Sequence, residues 1–181
     1  MRITSGILKG RTFKVPKIGV RPTTERTREA IFSSLQAIVP EARVLDLFAG
    51  AGSLGLEAWS RGAVHVTAVE KGSSHWKNLQ KNFQSLAGDS ELGDYEVVRA
   101  DVYAYLKRPV GPFDLIFVDP PYDEVDVPKL LEAVGDALAP EGLLVFEMHK
   151  RDSYTLPPKW TAIKEKKYSS TQVVFLERIH E

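Results

Sequence analysis

Val44-Leu45-Asp46-Leu47-Phe48-Ala49-Gly50-Ala51-Gly52-Ser53-Leu54-Gly55 decides the fold. A near-continuous apolar strand, Val44 to Phe48, runs into a turn whose glycines let the backbone pass close to a ligand, and a helix follows from Leu54 to Arg61. Outward from it, strand and helix signals alternate. Strands are expected at His65 to Glu70, Glu96 to Asp101, Asp114 to Val118 and Leu143 to Met148. Helices are expected at Ser73 to Leu86, Val102 to Leu106 and Val127 to Leu138. Gly62 ends one helix and Ser73 starts the next. Such an alternation of apolar strands and helices means an α/β fold with a parallel sheet covered on both faces. Trp160 to Lys167 and Thr171 to Glu177 read as two further strands with no helix between them, hence a closing antiparallel hairpin.

The chain has 181 residues, 43% hydrophobic and 27% charged, enough for one globular domain and a small appendage. Cysteine is absent, which excludes disulfides, thiolate-held metals and cysteine nucleophiles. The four histidines, His65, His75, His149 and His180, share no ligand spacing, so no metal is expected. No apolar run is long enough to span a membrane and no leader is apparent, so a cytoplasmic, reducing setting is expected. The zero net charge hides an asymmetry. Residues 1–28 carry eight basic side chains against Glu25 alone, a balance of +7, which leaves −7 on the other 153 residues. A basic arm on an acidic body suits a polyanion partner. Residues 2–15 read as a hairpin or small ribbon around glycines. The segment Arg21 to Pro40 reads as a helix capped by Thr23 or Thr24, with Ile31, Leu35 and Ile38 at helical spacing. The expected division is a basic hairpin arm over residues 1–20 and a sheet domain over 21–181.

Three acids, Asp46, Glu70 and Asp101, stand at the carboxyl ends of three consecutive strands, where open α/β sheets bind ligands. Glu70 lies where an acid can accept from ribose hydroxyls, and Asp101 within reach of an adenine amine. Acids beside the turn suit a cationic sulfonium ligand better than a pyrophosphate, which favours S-adenosylmethionine over NAD. The fourth strand runs into Asp119-Pro120-Pro121-Tyr122. The prolines fix φ and present carbonyl acceptors, Asp119 adds a carboxylate, and Tyr122 can stack on a base. Asp119 and the Pro120 carbonyl, each accepting one N–H, would hold an exocyclic amine with its lone pair aimed at a methyl group.

With the upstream R-P-T-T-E-R-T-R-E-A-I-F segment, these motifs make the chain resemble the bacterial 16S ribosomal RNA guanine-N2 methyltransferases of the RsmD type, from Arg2 to about Glu177. The resemblance implies a Rossmann-like, class I S-adenosylmethionine-dependent fold with a seven-stranded, mostly parallel sheet. It implies a cofactor site lined by Asp46, Phe48, Ala49, Gly50, Gly52, Glu70, Lys71, Asp101 and Val102, a catalytic tetrapeptide from Asp119 to Tyr122, and an Arg21 to Arg28 stretch bordering the cleft. Lys9, Arg11, Lys14, Arg21, Arg26 and Arg28 are the expected RNA contacts.

The aspartate at position 119 favours guanine, whose N1–H and N2–H are adjacent donors, over adenine, which sets a ring acceptor beside its amine. Adenine-N6 methylation of RNA or DNA stays an alternative, as do a non-catalytic RNA-binding module and a nicotinamide oxidoreductase. So short a chain leaves no room for a large recognition domain, which suits a structured RNA or the small ribosomal subunit as partner, with the enzyme a monomer. Trp76, Leu79, Phe83, Leu86 and Trp160 are expected in the core.

Overall fold

The structure is a computed structural model and describes residues 1–19, 22–121, 125–168 and 170–180. Among them, seven strands form one sheet in the order β3-β2-β1-β4-β5-β7-β6. Five of these, β1 (Arg43–Leu47), β2 (His65–Glu70), β3 (Asp94–Arg99), β4 (Phe113–Val118) and β5 (Leu138–His149), run parallel. The closing pair, β6 (Trp160–Lys167) and β7 (Thr171–Arg178), is antiparallel, as expected. The chain builds outward from β1 to β3, then crosses back to lay β4 on the other side of β1. That reversal opens a crevice at the carboxyl ends of β1 and β4.

Side chains alternate between two cores. Val44, Val66, Leu115, Phe117 and Val145 face α1 (Glu25–Ser33), α2 (Ser53–Ser60) and α3 (Ser73–Leu86). Leu45, Leu47, Ile116, Val118 and Leu144 face α4 (Val102–Leu106) and α5 (Val127–Val134). Leu79, Phe83, Leu86 and Trp160 are buried as the sequence suggested, whereas Trp76 is only half-buried.

Four elements differ from expectation by more than one residue. The first helix is capped by Thr24, whose hydroxyl accepts from the Thr27 N–H, but it ends at Ser33 and leaves Ile38 37% exposed. The third strand begins two residues early and stops at Arg99, so Asp101 caps α4 through the Ala104 N–H instead of closing the strand. The fifth helix stops at Val134, and a short 3₁₀ turn over Gly135–Ala137 leads straight into β5. That strand therefore starts at Leu138, where it pairs with Phe113 before a register shift.

The N-terminal segment closes on itself as the small hairpin expected, and it lies against the domain as a strap instead of standing off as an arm. Arg2 bridges Thr12, and the Ile3, Gly10 and Phe13 N–H groups donate to the Arg11, Ile3 and Met1 carbonyls. Ile3, Leu8 and Phe13 are buried in the same core as α1, α2 and α3. Helix α2 supplies the partners. Glu57, fully buried, accepts from the Thr4 N–H and hydroxyl, while the Ser60 hydroxyl accepts from the Leu8 N–H and donates to the Ser5 carbonyl. On α3, Asn82 accepts from the Lys14 N–H and donates to its carbonyl. The strap is thus part of the domain's interior, and Phe13→Ala is expected to cost about 3 kcal/mol of stability, read as a lowered urea midpoint.

Candidate active site

The turn between β1 and α2 is built from residues in the left-handed backbone region. Phe48 sits at φ 57°, Gly50 at 58° and Gly52 at 88°. A non-glycine residue there costs about 1–3 kcal/mol, a kind of strain found mostly at functional sites. Gly52 has a second reason to be glycine, since a Cβ would stand 2.6 Å from Leu79 Cδ1. Asp46, on β1 beneath the turn, accepts the Gly55 N–H at 2.9 Å and is 2% exposed. Burial pushes its pKa up to about 8, against the pull of the Gly55 hydrogen bond and with a smaller push from the Glu70 charge. Asp46 and Gly52 therefore do not line the crevice as expected. Asp46 is held under the turn by the Gly55 N–H of α2, and Gly52 is packed against Leu79 and Phe83 of α3.

Glu70, at the end of β2, spans the same turn. Its Oε2 accepts the Gly50 N–H at 3.0 Å and its Oε1 accepts the Gly72 N–H at 3.3 Å. His75 Nδ1 stands 3.7 Å from Oε1, while its Nε2 lies 3.0 Å from the Ile18 carbonyl, so this imidazole ties the strap to the acid. Asp101 caps α4, and Lys71 Nζ is 4.0 Å from its Oδ2. Across the crevice, Asp119 follows β4, and the Thr23 hydroxyl reaches its Oδ2 at 3.4 Å and Glu147 Oε2 at 2.9 Å.

These groups line one cavity of about 940 Å³. Of the expected cofactor residues, Phe48, Ala49, Gly50, Glu70, Lys71, Asp101 and Val102 border it, and of the tetrapeptide Asp119, Pro120 and Pro121 do so. Tyr122 and Arg21 lie outside the described residues. Thr23, within the Arg21 to Arg28 stretch that the resemblance set at the cleft, also lines the cavity, as do Glu147 and Tyr168, which no motif singled out because they come from distant segments joined by the sheet. Among the expected RNA contacts, Lys9, Arg11, Lys14 and Arg26 are exposed. Arg28 corrects the expectation. Its side chain is fully buried, Nη2 donates to the Arg2 carbonyl at 2.6 Å, and the guanidinium lies over the Phe13 ring, so it holds the strap and cannot reach a phosphate. No group of three or more metal-ligating side chains occurs among the described residues, and no helix among them is long and apolar enough to cross a membrane.

Residues 1–177 match the family described as "Conserved hypothetical protein 95". The chain is 35% identical to the Ribosomal RNA small subunit methyltransferase D of Escherichia coli K12 over 170 residues, covering 92% of this chain and 84% of that protein. With the Haemophilus influenzae protein of the same name it shares 37% over 175 residues, covering 92% and 88%. The chain belongs to the RsmD family. The solved structure of the Escherichia coli protein yhhF superposes with a TM-score of 0.85 at 32% identity, over 100% of this chain and 99% of that one. A Thermus thermophilus protein follows at 0.81 and 29%, over 97% and 98%. The RsmD-family sheet is thus the class I Rossmann-like methyltransferase architecture, present here over the whole chain.

For this RsmD-family member the buried acid yields a pH prediction. Asp46 keeps its proton in the fold up to about pH 8 but ionises near its ordinary 3.8 when unfolded, so its stabilising contribution is full below about pH 4 and is lost as pH rises to about 8. Asp46→Asn, which retains an acceptor for the Gly55 N–H, is expected to flatten this part of the profile. Urea denaturation of both proteins between pH 4 and 8 checks it, and parallel profiles would contradict it.

Proposed function

We propose that this chain methylates the exocyclic N2 amine of a guanine in small-subunit ribosomal RNA, with S-adenosylmethionine as donor. The observation that carries the reading is the single cavity joining the β1–α2 turn, Glu70 and Asp101 to Asp119 and the two prolines. Four carboxylates, Glu70, Asp101, Asp119 and Glu147, line it, a donor set that fits a cationic ligand and disfavours a pyrophosphate. The names of the relatives, rRNA small-subunit methyltransferases at 34–37% identity, support the RNA substrate.

In this reading Glu70, with backbone N–H groups already fixing each oxygen, turns its remaining lone pairs to the ribose hydroxyls, and Asp101 and Val102 take the adenine end. When bound, S-adenosylmethionine supplies an electrophilic methyl on a sulfonium. Asp119 and the Pro120 carbonyl accept the two N–H groups of the target amine and aim its lone pair, and Asp119 receives the proton that the methylated nitrogen releases. The prolines make that acceptor set rigid. Lys9, Arg11, Lys14 and Arg26 contact phosphates and orient the RNA on the strap side of the cleft.

Labelled methyl transfer to small-subunit particles, naked ribosomal RNA and DNA, followed by nucleoside analysis, tests the reading: N2-methylguanosine is expected from particles or RNA, whereas N6-methyladenine would overturn the base assignment. Asp119→Ala is expected to lower turnover by at least about 100-fold while S-adenosylhomocysteine still binds in calorimetry. Replacing Lys9, Arg11 and Lys14 together by alanine is expected to reduce the slope of log K for RNA against log salt by about 2, at roughly 0.7 per lost phosphate contact.

A further inference from the structure

The cavity wall around Asp119 carries more hydrogen-bonding chemistry than transfer to an amine requires. Strand β5 lies beside β4 with Phe146 opposite Val118, so the next residues, Glu147 and Asp119, emerge side by side at the strand ends. Glu147 is 6% exposed, and its Oε2 is held by the Thr23 hydroxyl at 2.9 Å. That contact occupies one of its lone pairs and fixes the carboxylate at the cavity wall. Beyond it, Tyr168 lines the same cavity from the end of the β6–β7 hairpin. Its hydroxyl oxygen is buried and has no hydrogen-bond partner. Burial, then the Glu147 charge, raises the phenol's pKa, so at neutral pH this group is a donor waiting for an acceptor. A buried hydroxyl left in that state costs about 1–3 kcal/mol, which a ligand presenting an acceptor there would recover.

The strand order β4-β5-β7 sets Asp119, Glu147 and, before β7, Tyr168 along the wall, an acceptor, an acceptor and a donor in turn. The Watson-Crick edge of guanine presents the complement: the N2 amine and N1–H are donors and O6 is an acceptor. Adenine offers an unprotonated N1 in the middle place, which a carboxylate repels, and an amine where guanine has O6. We infer that Glu147 and Tyr168 are the specificity-determining residues for guanine, Glu147 accepting N1–H and Tyr168 donating to O6 while Asp119 holds the N2 amine. The assignment rests on the guanine-N2 reading above and deepens it. It divides the work between two carboxylates, leaving Asp119 to the reacting nitrogen and giving the neighbouring N–H to Glu147.

The test uses a purine that keeps the amine and loses the rest of the edge. The nucleotide that the full-length wild-type enzyme labels is first located in the RNA. Transcripts are then made with guanine or with 2-aminopurine at that place, the latter lacking both N1–H and O6. Wild type is expected to favour guanine by about 100-fold or more, read in kcat/KM and in the Kd of the S-adenosylhomocysteine-loaded enzyme for each transcript, so that the ratio is defined even where transfer to the analogue is slow. Glu147→Gln and Tyr168→Phe, both near-isosteric, are each expected to weaken the guanine transcript about 10- to 100-fold; Tyr168→Phe leaves 2-aminopurine almost unchanged, and Glu147→Gln binds it no worse than wild type, because the amide can donate to its unprotonated N1. The cofactor-product affinity of each variant is expected to match wild type and its urea midpoint not to fall below it, which separates lost recognition from lost folding. Equal losses on both transcripts, or no loss on guanine, would overturn the assignment. A wild-type label on adenine would instead sink the base reading beneath it, and that outcome appears before any variant is made.

Discussion

The hydrogen bond from the Gly55 N–H to the Asp46 carboxyl closes the β1–α2 turn, and the rest of the site is arranged around that closure. With the turn held from below, the Gly50 N–H faces Glu70, and β1 and β2 become two walls of one crevice. The closure is electrostatically unusual, because burial keeps Asp46 protonated where a carboxylate would ordinarily be charged. A neutral acid suits this place: an ionised one would sit in the interior without a cation and would add to the negative field of Glu70 beside it. Gly55 belongs to the same arrangement, since a Cβ there would stand 3.0 Å from Asp46 Oδ2.

The strap is the second support. Its backbone is satisfied by Glu57, Ser60 and Asn82, three polar side chains on helices that otherwise show apolar faces to the sheet. Arg28 adds a guanidinium laid over Phe13, with burial lowering its pKa and the Glu57 charge opposing that shift. Through His75 the strap also reaches Glu70, so the segment that carries the basic residues ends at the cofactor side of the cavity. Charge and packing thus divide within a few residues. Arg26 stays in solvent and Arg28 turns inward, a separation that follows from their positions on opposite sides of one short helix.

The parallel sheet could be read from the alternation of Val44–Phe48, His65–Glu70 and Asp114–Val118 with helical stretches, because buried parallel strands need apolar runs and their crossovers need helices. The residues at strand ends were also readable, since the fold always places its crevice there. Glu70, Asp101 and Asp119 accordingly border the cavity, while Asp46 points down because its residue precedes the turn by a whole pleat. Spacing could not supply Glu147 and Tyr168: they reach Asp119 only through the β4–β5 register and the returning hairpin, long-range facts with no local pattern. Arg28 misled for a similar reason, as its charge advertises a surface and only tertiary packing buries it.

The strap also bears on the order in which the molecule assembles. Thr4 and Leu8 are satisfied by Glu57 and Ser60, partners 53 and 52 residues further along the chain. The strap, made before α2, therefore has no place to settle until that helix exists, and closing so long a loop adds entropy to the barrier that local helix formation does not. The basic segment becomes a fixed edge of the cleft only when α2 and α3, which supply its partners, have formed. The surface proposed to meet RNA is in that sense made first and shaped later, once the helices that hold it exist.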